Sequence, residues 1–142
     1  MQFSISREAL LKPLQMVSGV VERRQTLPVL SNVLLVLRGS ELSLTGTDLE
    51  VELIGRAQTE GSSKDGEITV PGRKLLDICK SLADDSSLEI SVADNKLKLK
   101  CGRSRFTLTT LPASEFPSVD EEPDAYSITY HSSEIARAAR CH

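Results

Sequence analysis

One apolar strand, one apolar helical stripe and three alternating strands occur in that order twice along this chain, and the repetition constrains its fold more than any other feature. Phe3-Ser4-Ile5 alternates as a strand does, and Leu10, Leu11, Leu14 and Val17 then recur at helical spacing. Sixty-five residues on, Ile68-Thr69-Val70 repeats the strand, and Leu75, Leu76, Cys79 and Leu82 repeat the stripe position for position. Pro71 suits the start of the second helix, because the first helical positions have no use for the amide proton that proline lacks. Three strands are expected behind each helix: Val33 to Arg38, Glu41 to Thr45 and Leu49 to Ile54, then Leu88 to Val92, Lys96 to Lys100 and Ser104 to Thr109. The order β-α-β-β-β, twice, places the chain in the α+β class.

Strand registers follow from burial, since a slip of one residue would turn the apolar set to water. Gly39-Ser40 as a two-residue turn sets Leu37 opposite Leu42, Leu35 opposite Leu44 and Arg38 opposite Glu41. Asp94-Asn95 as a second turn pairs Val92 with Leu97 and Ile90 with Leu99. A third turn at Cys101-Gly102 would bring Leu97 opposite Phe106, Lys100 opposite Arg103 and Lys98 opposite Arg105. Pro13 falls inside the first helix, where it should cost about 3 kcal/mol or force a kink.

Beyond Thr110 the pattern breaks. Leu111-Pro112-Ala113-Ser114-Glu115-Phe116-Pro117 is interrupted by prolines, and Asp120, Glu121, Glu122 and Asp124 follow, which reads as a linker. Tyr126-Ser127-Ile128-Thr129-Tyr130 alternates again, Ser132 or Ser133 offers a helix N-cap, and Ile135, Ala136 and Ala139 stand at helical spacing. The expected organisation is one domain over residues 1–118, an acidic linker over 119–125, and over 126–142 the start of a further unit, left with no sheet to bury against and cut short at His142.

With 142 residues and 39% hydrophobic content, the chain suffices for one domain with a real core. A net charge of -3 means that contact with nucleic acid must come from a local basic patch. No long apolar run and no leader-like N-terminus are present, and the three cysteines, Cys79, Cys101 and Cys141, have no CxxC spacing. A cytoplasmic protein with reduced thiols is expected. Only His131 and His142 are available for acid-base work, and neither has an assignable nucleophile or orienting carboxylate. Cys79 lies on an apolar stripe and reads as a buried hydrophobe, while Cys101 reads as an exposed turn residue without partners. The segment Gly61-Ser62-Ser63-Lys64-Asp65-Gly66 lacks the phosphate-loop arrangement and reads as a plain loop. No catalytic residue, metal site or cofactor is implied.

Three longer segments carry a resemblance: Arg24-Gln25-Thr26-Leu27-Pro28-Val29-Leu30-Ser31-Asn32, Leu42-Ser43-Leu44-Thr45-Gly46-Thr47-Asp48-Leu49-Glu50, and Gly102-Arg103-Ser104-Arg105-Phe106-Thr107-Leu108-Thr109-Thr110-Leu111-Pro112. In order and spacing they resemble the N-terminal domain of the bacterial DNA polymerase III β sliding clamps, from residue 1 to about 118. The resemblance implies a non-catalytic processivity factor. Its subunits have three domains of this doubled topology and close head to tail into a homodimeric ring around duplex DNA, with helices lining the hole and antiparallel sheets outside. It also implies partners, the clamp loader and DNA polymerases, which dock on the second and third domains.

The charges fit two readings. Arg73, Lys74 and Lys80 outweigh Asp77 around the second helix, and Arg7, Lys12, Arg23 and Arg24 outweigh Glu8 and Glu22 around the first. On charge alone these are ordinary solvated helix faces. The resemblance favours phosphate contact without sequence preference, with Arg24 first, Arg73 next, and Lys12, Lys80 and Arg7 adding to the field. Like charges across the second unit's strands are either solvated and partly relieved by Glu89, or completed by an acidic partner surface. The resemblance implies the latter, with Lys74, Arg103, Arg105, Phe106 and Leu108 meeting the second subunit. An alternative function is a shortened clamp-like module that binds proteins without encircling DNA, since closing a ring needs two complementary surfaces and this chain is expected to carry one.

Overall fold

The computed structural model describes residues 1–21, 28–48, 50–117, 126–131 and 134–136, with the backbone alone for 28, 126–131 and 134–136. The acidic linker 119–125, Arg24, Leu49, Cys141 and His142 lie outside the described residues, as does the side chain of His131.

The first repeat is β1 (Gln2–Ser6), α1 (Arg7–Ser18), β2 (Asn32–Arg38), β3 (Glu41–Thr47) and β4 (Val51–Gln58). A short strand, β5 (Glu60–Lys64), leads into the second: β6 (Gly66–Pro71), α2 (Gly72–Ser81), β7 (Ser87–Ala93), β8 (Lys96–Cys101) and β9 (Ser104–Thr109). The repeats exchange their first strands. β1 joins the second repeat in a five-stranded sheet of order β5-β1-β7-β8-β9, and β6 pairs with β2 at the head of the first repeat's strands. The second sheet has seven strands in the order β10-β6-β2-β3-β4-β11-β12, where β10 is Leu111–Pro112, β11 is Tyr126–His131 and β12 is Glu134–Ala136. Both apolar faces close on one core that includes Phe3, Ile5, Leu10, Leu14, Leu35, Leu44, Leu75, Leu76, Ile90, Leu97 and Leu99.

Local chemistry explains the boundaries. Ser6 Oγ accepts a hydrogen bond from the Ala9 amide at 3.1 Å and caps α1, with Glu8 in the favourable first turn. Pro71 is the N-cap residue of α2. α1 runs through Pro13 without ending there. The seven-stranded sheet makes room for it, because a Cβ on Gly55 would lie 2.6 Å from Pro13 Cβ, and one on Gly46 would lie 2.6 Å from the Val17 carbonyl oxygen. The strand expected at Leu49 begins instead at Val51, because the Asp48 carboxylate accepts from the amides of Glu50 and Val51 at 2.9 and 2.8 Å and holds a turn there.

The Gly39-Ser40 and Asp94-Asn95 hairpins have the expected registers. Asp94 and Asn95 both adopt positive φ, 52° and 62°, as a turn that follows strand twist demands. The third hairpin corrects the expectation. Its turn is Gly102-Arg103, with Gly102 at φ 57°, so the chain uses glycine at the first turn position and spares Cys101. Lys100 therefore faces Arg105, Lys98 faces Thr107, Leu99 faces Phe106 and Leu97 faces Leu108. The shift is two residues, so the inner and outer faces are unchanged.

Three further segments differ from the sequence reading. Glu60–Lys64 is an edge strand against β1, pinned where Ser63 Oγ donates to the Gly39 carbonyl oxygen at 2.6 Å. Its lack of apolar residues hid it. Leu111–Pro112 pairs with β6. Asn32 Nδ2 donates to Thr69 Oγ1 at 3.0 Å, and that hydroxyl donates to the Leu111 carbonyl at 3.1 Å. Tyr126–His131 lies parallel to β4 and Glu134–Ala136 folds back on it as a strand, where a free strand and a helix were expected. The open edge of β4 offers main-chain partners that a lone helical turn lacks.

Candidate nucleic-acid interface and edge strand

The two helices pack antiparallel: Arg7 at the start of α1 reaches Cys79 near the end of α2, and Ser18 at the end of α1 stands beside Gly72 at the start of α2. Their apolar stripes face the sheets. Lys12 on α1 and Arg73, Lys74, Asp77 and Lys80 on α2 are exposed on the other side. Arg73, Asp77 and Lys80 follow one another at helical spacing on a single face. The cations that form ion pairs among the described residues are Arg7 and Arg56; Lys12, Arg73, Lys74 and Lys80 form none, and on α2 the three cations outnumber the one carboxylate beside them, Asp77.

Arg7 departs from the sequence expectation. It is buried, its Nε donates to the Cys79 carbonyl oxygen at 2.8 Å, and its Nη1 lies 3.0 Å from Asp84 and 3.4 Å from Glu8. The Cys79 carbonyl, in the last turn of α2, takes only a long bond of 3.3 Å from the Leu82 amide, which leaves it open to a second donor, and a guanidinium suits the negative end of the helix dipole. Arg7 is thus a tie between α1 and the end of α2 rather than a free cation. Sequence spacing could not separate it from Lys12, because the partners that bury it, Cys79 and Asp84, lie more than seventy residues away.

β9 pairs with β8 on one side, and its other edge carries no strand among the described residues. Arg103 and Arg105 are exposed, Arg105 beside Lys100 on the outer face, and Lys100 in turn stands opposite Glu89. Phe106 is half-buried against the core. Leu108 is 9% exposed and belongs to the chain's own core against Leu97, so it has little surface to offer a partner. α2 touches β9, and Lys74 is exposed on that helix.

A family model described as DNA polymerase III beta subunit, N-terminal domain, matches residues 1–120. The chain belongs to that family. The beta sliding clamp of Pseudomonas putida is 64% identical over 137 residues, which are 96% of this chain and 37% of that protein. That of Haemophilus influenzae is 51% identical over 121 residues, 85% of this chain and 33% of that one. A crystal structure of the DNA polymerase III subunit beta from Pseudomonas aeruginosa superimposes with a TM-score of 0.83 at 67% identity, covering 87% of this chain and 33% of the other. The chain therefore spans about a third of the length of these clamps.

Within this clamp domain the thiols have separate fates. Burial pushes the Cys79 thiol up to about 12, against a smaller lowering influence of Arg7, so it stays protonated as a core residue. Cys101 is half-buried at the end of β8 and packs against the core rather than standing in the turn. Among the described residues no group of three histidine, cysteine, aspartate or glutamate side chains converges as a metal site, and no helix is long and apolar enough to cross a membrane.

Proposed function

We propose that this domain serves a DNA polymerase processivity factor, facing duplex DNA with α1 and α2 and meeting a second subunit through β9. The observation that carries this reading is the net positive exposed charge of Lys12, Arg73 and Lys80 on the helical side, none of them in an ion pair among the described residues. Cations on a rigid surface with no base-reading pattern bind phosphates and tolerate sliding. Arg24 joins them by family resemblance, as the first DNA contact. Lys74, Arg103 and Arg105, with Phe106, form the subunit edge, and Leu108 supports it from beneath. The work is non-catalytic and cytoplasmic. The clamp loader and polymerases dock on parts of the family's length outside this chain. On this reading residues 1–118 are the domain, 119–125 the linker and 126–142 the start of the next unit, whose strand Tyr126–His131 lies against β4.

The test is duplex DNA binding by fluorescence anisotropy across a salt series. Arg73→Gln and Lys80→Gln should each weaken binding equally on unrelated sequences and lower the log-log salt slope by about 0.9 per lost phosphate contact. An unchanged affinity and slope in the double variant would remove the helical face from the interface.

A further inference from the structure

The outer faces of the two sheets are finished differently. On the seven-stranded sheet, Ala113, Phe116 and Pro117 come over from the chain's own extension and share a small hollow with Leu34, Thr45 and Ile54. The five-stranded sheet has no such cover among the described residues. Its outer face holds a concavity of about 650 Å³ bordered by Lys98, Lys100 and Arg105 on one side and by Gln2, Ser4 and Ser91 on the other.

The register fixes the charge map of that face. One row across the sheet reads Arg105, Lys100, Glu89, Ser4, Glu60, and the next reads Thr107, Lys98, Ser91, Gln2, Lys64. Lys96 in the third row donates to Thr109 Oγ1 at 3.1 Å. Lys98, Lys100 and Arg105 form no ion pair among the described residues, although Arg105 and Lys100 face each other directly. Like charges so placed repel. The face thus keeps a positive excess: Lys98 and Lys100, with Arg105 at the border it shares with the subunit edge, outnumber the one lining carboxylate, Glu89, around hydroxyls of serine and threonine, in a volume within the range of about 300–1,000 Å³ that suits a small ligand or a short peptide.

We propose that this concavity binds an extended acidic peptide of a partner protein, with carboxylates at alternate residues over Lys98 and Lys100. The spacing selects that occupant. Lys98 and Lys100 are two residues apart on one strand, about 6.8 Å, and an extended peptide repeats its side chains on one side at the same step. Residues between the carboxylates point away, and the hydroxyls of Ser4, Ser91 and Thr107 offer hydrogen bonds to the main chain. A single nucleic-acid strand suits the site less well. Such strands stack their bases on aromatic rings, while Phe3 is buried and Phe106 half-buried on the inner face. This face lies opposite the helices, so the proposal stands apart from their reading as a DNA surface.

The experiment is fluorescence anisotropy of the 142-residue chain with a fluorescein-labelled decapeptide of alternating glutamate and serine. Two further probes are a decapeptide of the same composition with its glutamates in one block, and dodecathymidylate. The alternating peptide should bind best, and Lys98→Glu with Lys100→Glu should weaken it roughly tenfold, as expected for a few partly exposed ion pairs. Lys98→Gln with Lys100→Gln should weaken it less while circular dichroism stays unchanged, and Arg73→Gln with Lys80→Gln should leave it as it was. Equal binding of the alternating and block peptides, insensitivity to the lysine variants, or tighter binding of dodecathymidylate at the same lysines would overturn the proposal.

Discussion

Pro13, in the middle of α1, rests on Gly55 of β4 so closely that a methyl group on the glycine would stand 2.6 Å from the proline Cβ. Neither residue suits its element alone, since proline weakens a helix interior and glycine a strand. Together they let the helix lie flush on the sheet. Gly55→Ala should therefore destabilise the domain by about 1–3 kcal/mol through overpacking, read as a lower urea midpoint with an unchanged slope. An unaltered midpoint would mean that α1 shifts freely.

Arg7 offers a second measurement. Replacing it with methionine removes the donor to the Cys79 carbonyl and should cost about 1–3 kcal/mol, as for a buried hydrogen bond to a charged group. Asp84 is 95% exposed on its side chain, so Asp84→Ala should leave most of that stability in place. Thermal unfolding of the two variants side by side distinguishes a helix tie from a surface ion pair.

The thiols predict a pH effect whose sign is fixed. Cys79 has an ordinary value near 9 when unfolded and is pushed up to about 12 when folded, so above pH 9 the unfolded chain loses a proton that the folded chain keeps. Its contribution is whole below pH 9 and declines by up to about 1.4 kcal/mol per pH unit between 9 and 12. Cys79→Ala should flatten that decline in urea titrations at pH 8 to 10.5. In the native protein at pH 8, Ellman's reagent should modify Cys101 faster than Cys79.

Asn95 stands at φ 62° in the tight turn, and its carbonyl accepts from the Thr110 amide at 2.9 Å. Asn95→Gly should be neutral or mildly stabilising. Asn95→Val should cost about 1–3 kcal/mol, because a branched side chain is strained in the left-handed region. Equal midpoints for both would show that the hairpin reshapes itself.

The doubled topology was legible because Leu10, Leu11, Leu14 and Val17 and their later counterparts encode burial directly, and the first two hairpins because Gly39 and the Asp94-Asn95 pair encode turn geometry. The exposed cations Lys12, Arg73, Lys74 and Lys80 were legible for the same reason, being the complement of an apolar stripe. What escaped depends on partners distant in sequence. The burial of Arg7 is set by Cys79 and Asp84, the strand at Glu60–Lys64 by β1, and the seat of Leu111 by Thr69. The register of β9 was missed by two residues because Leu97 accepts Phe106 or Leu108 alike; the turn at Gly102-Arg103 decides, and it sets Leu99 against Phe106 where the expected register would have left it against Ser104.

The exchange of β1 and β6 between the repeats bears on how the chain assembles as it is made. Gln2–Ser6, made before the other strands of the domain, finds its antiparallel neighbour only when Ser87–Ala93 has emerged, and β2 lacks Gly66–Pro71 until the first repeat is already complete. Neither half is a finished unit by itself. Long-range pairings of this kind slow folding, with each repeat supplying the strand that the other is missing.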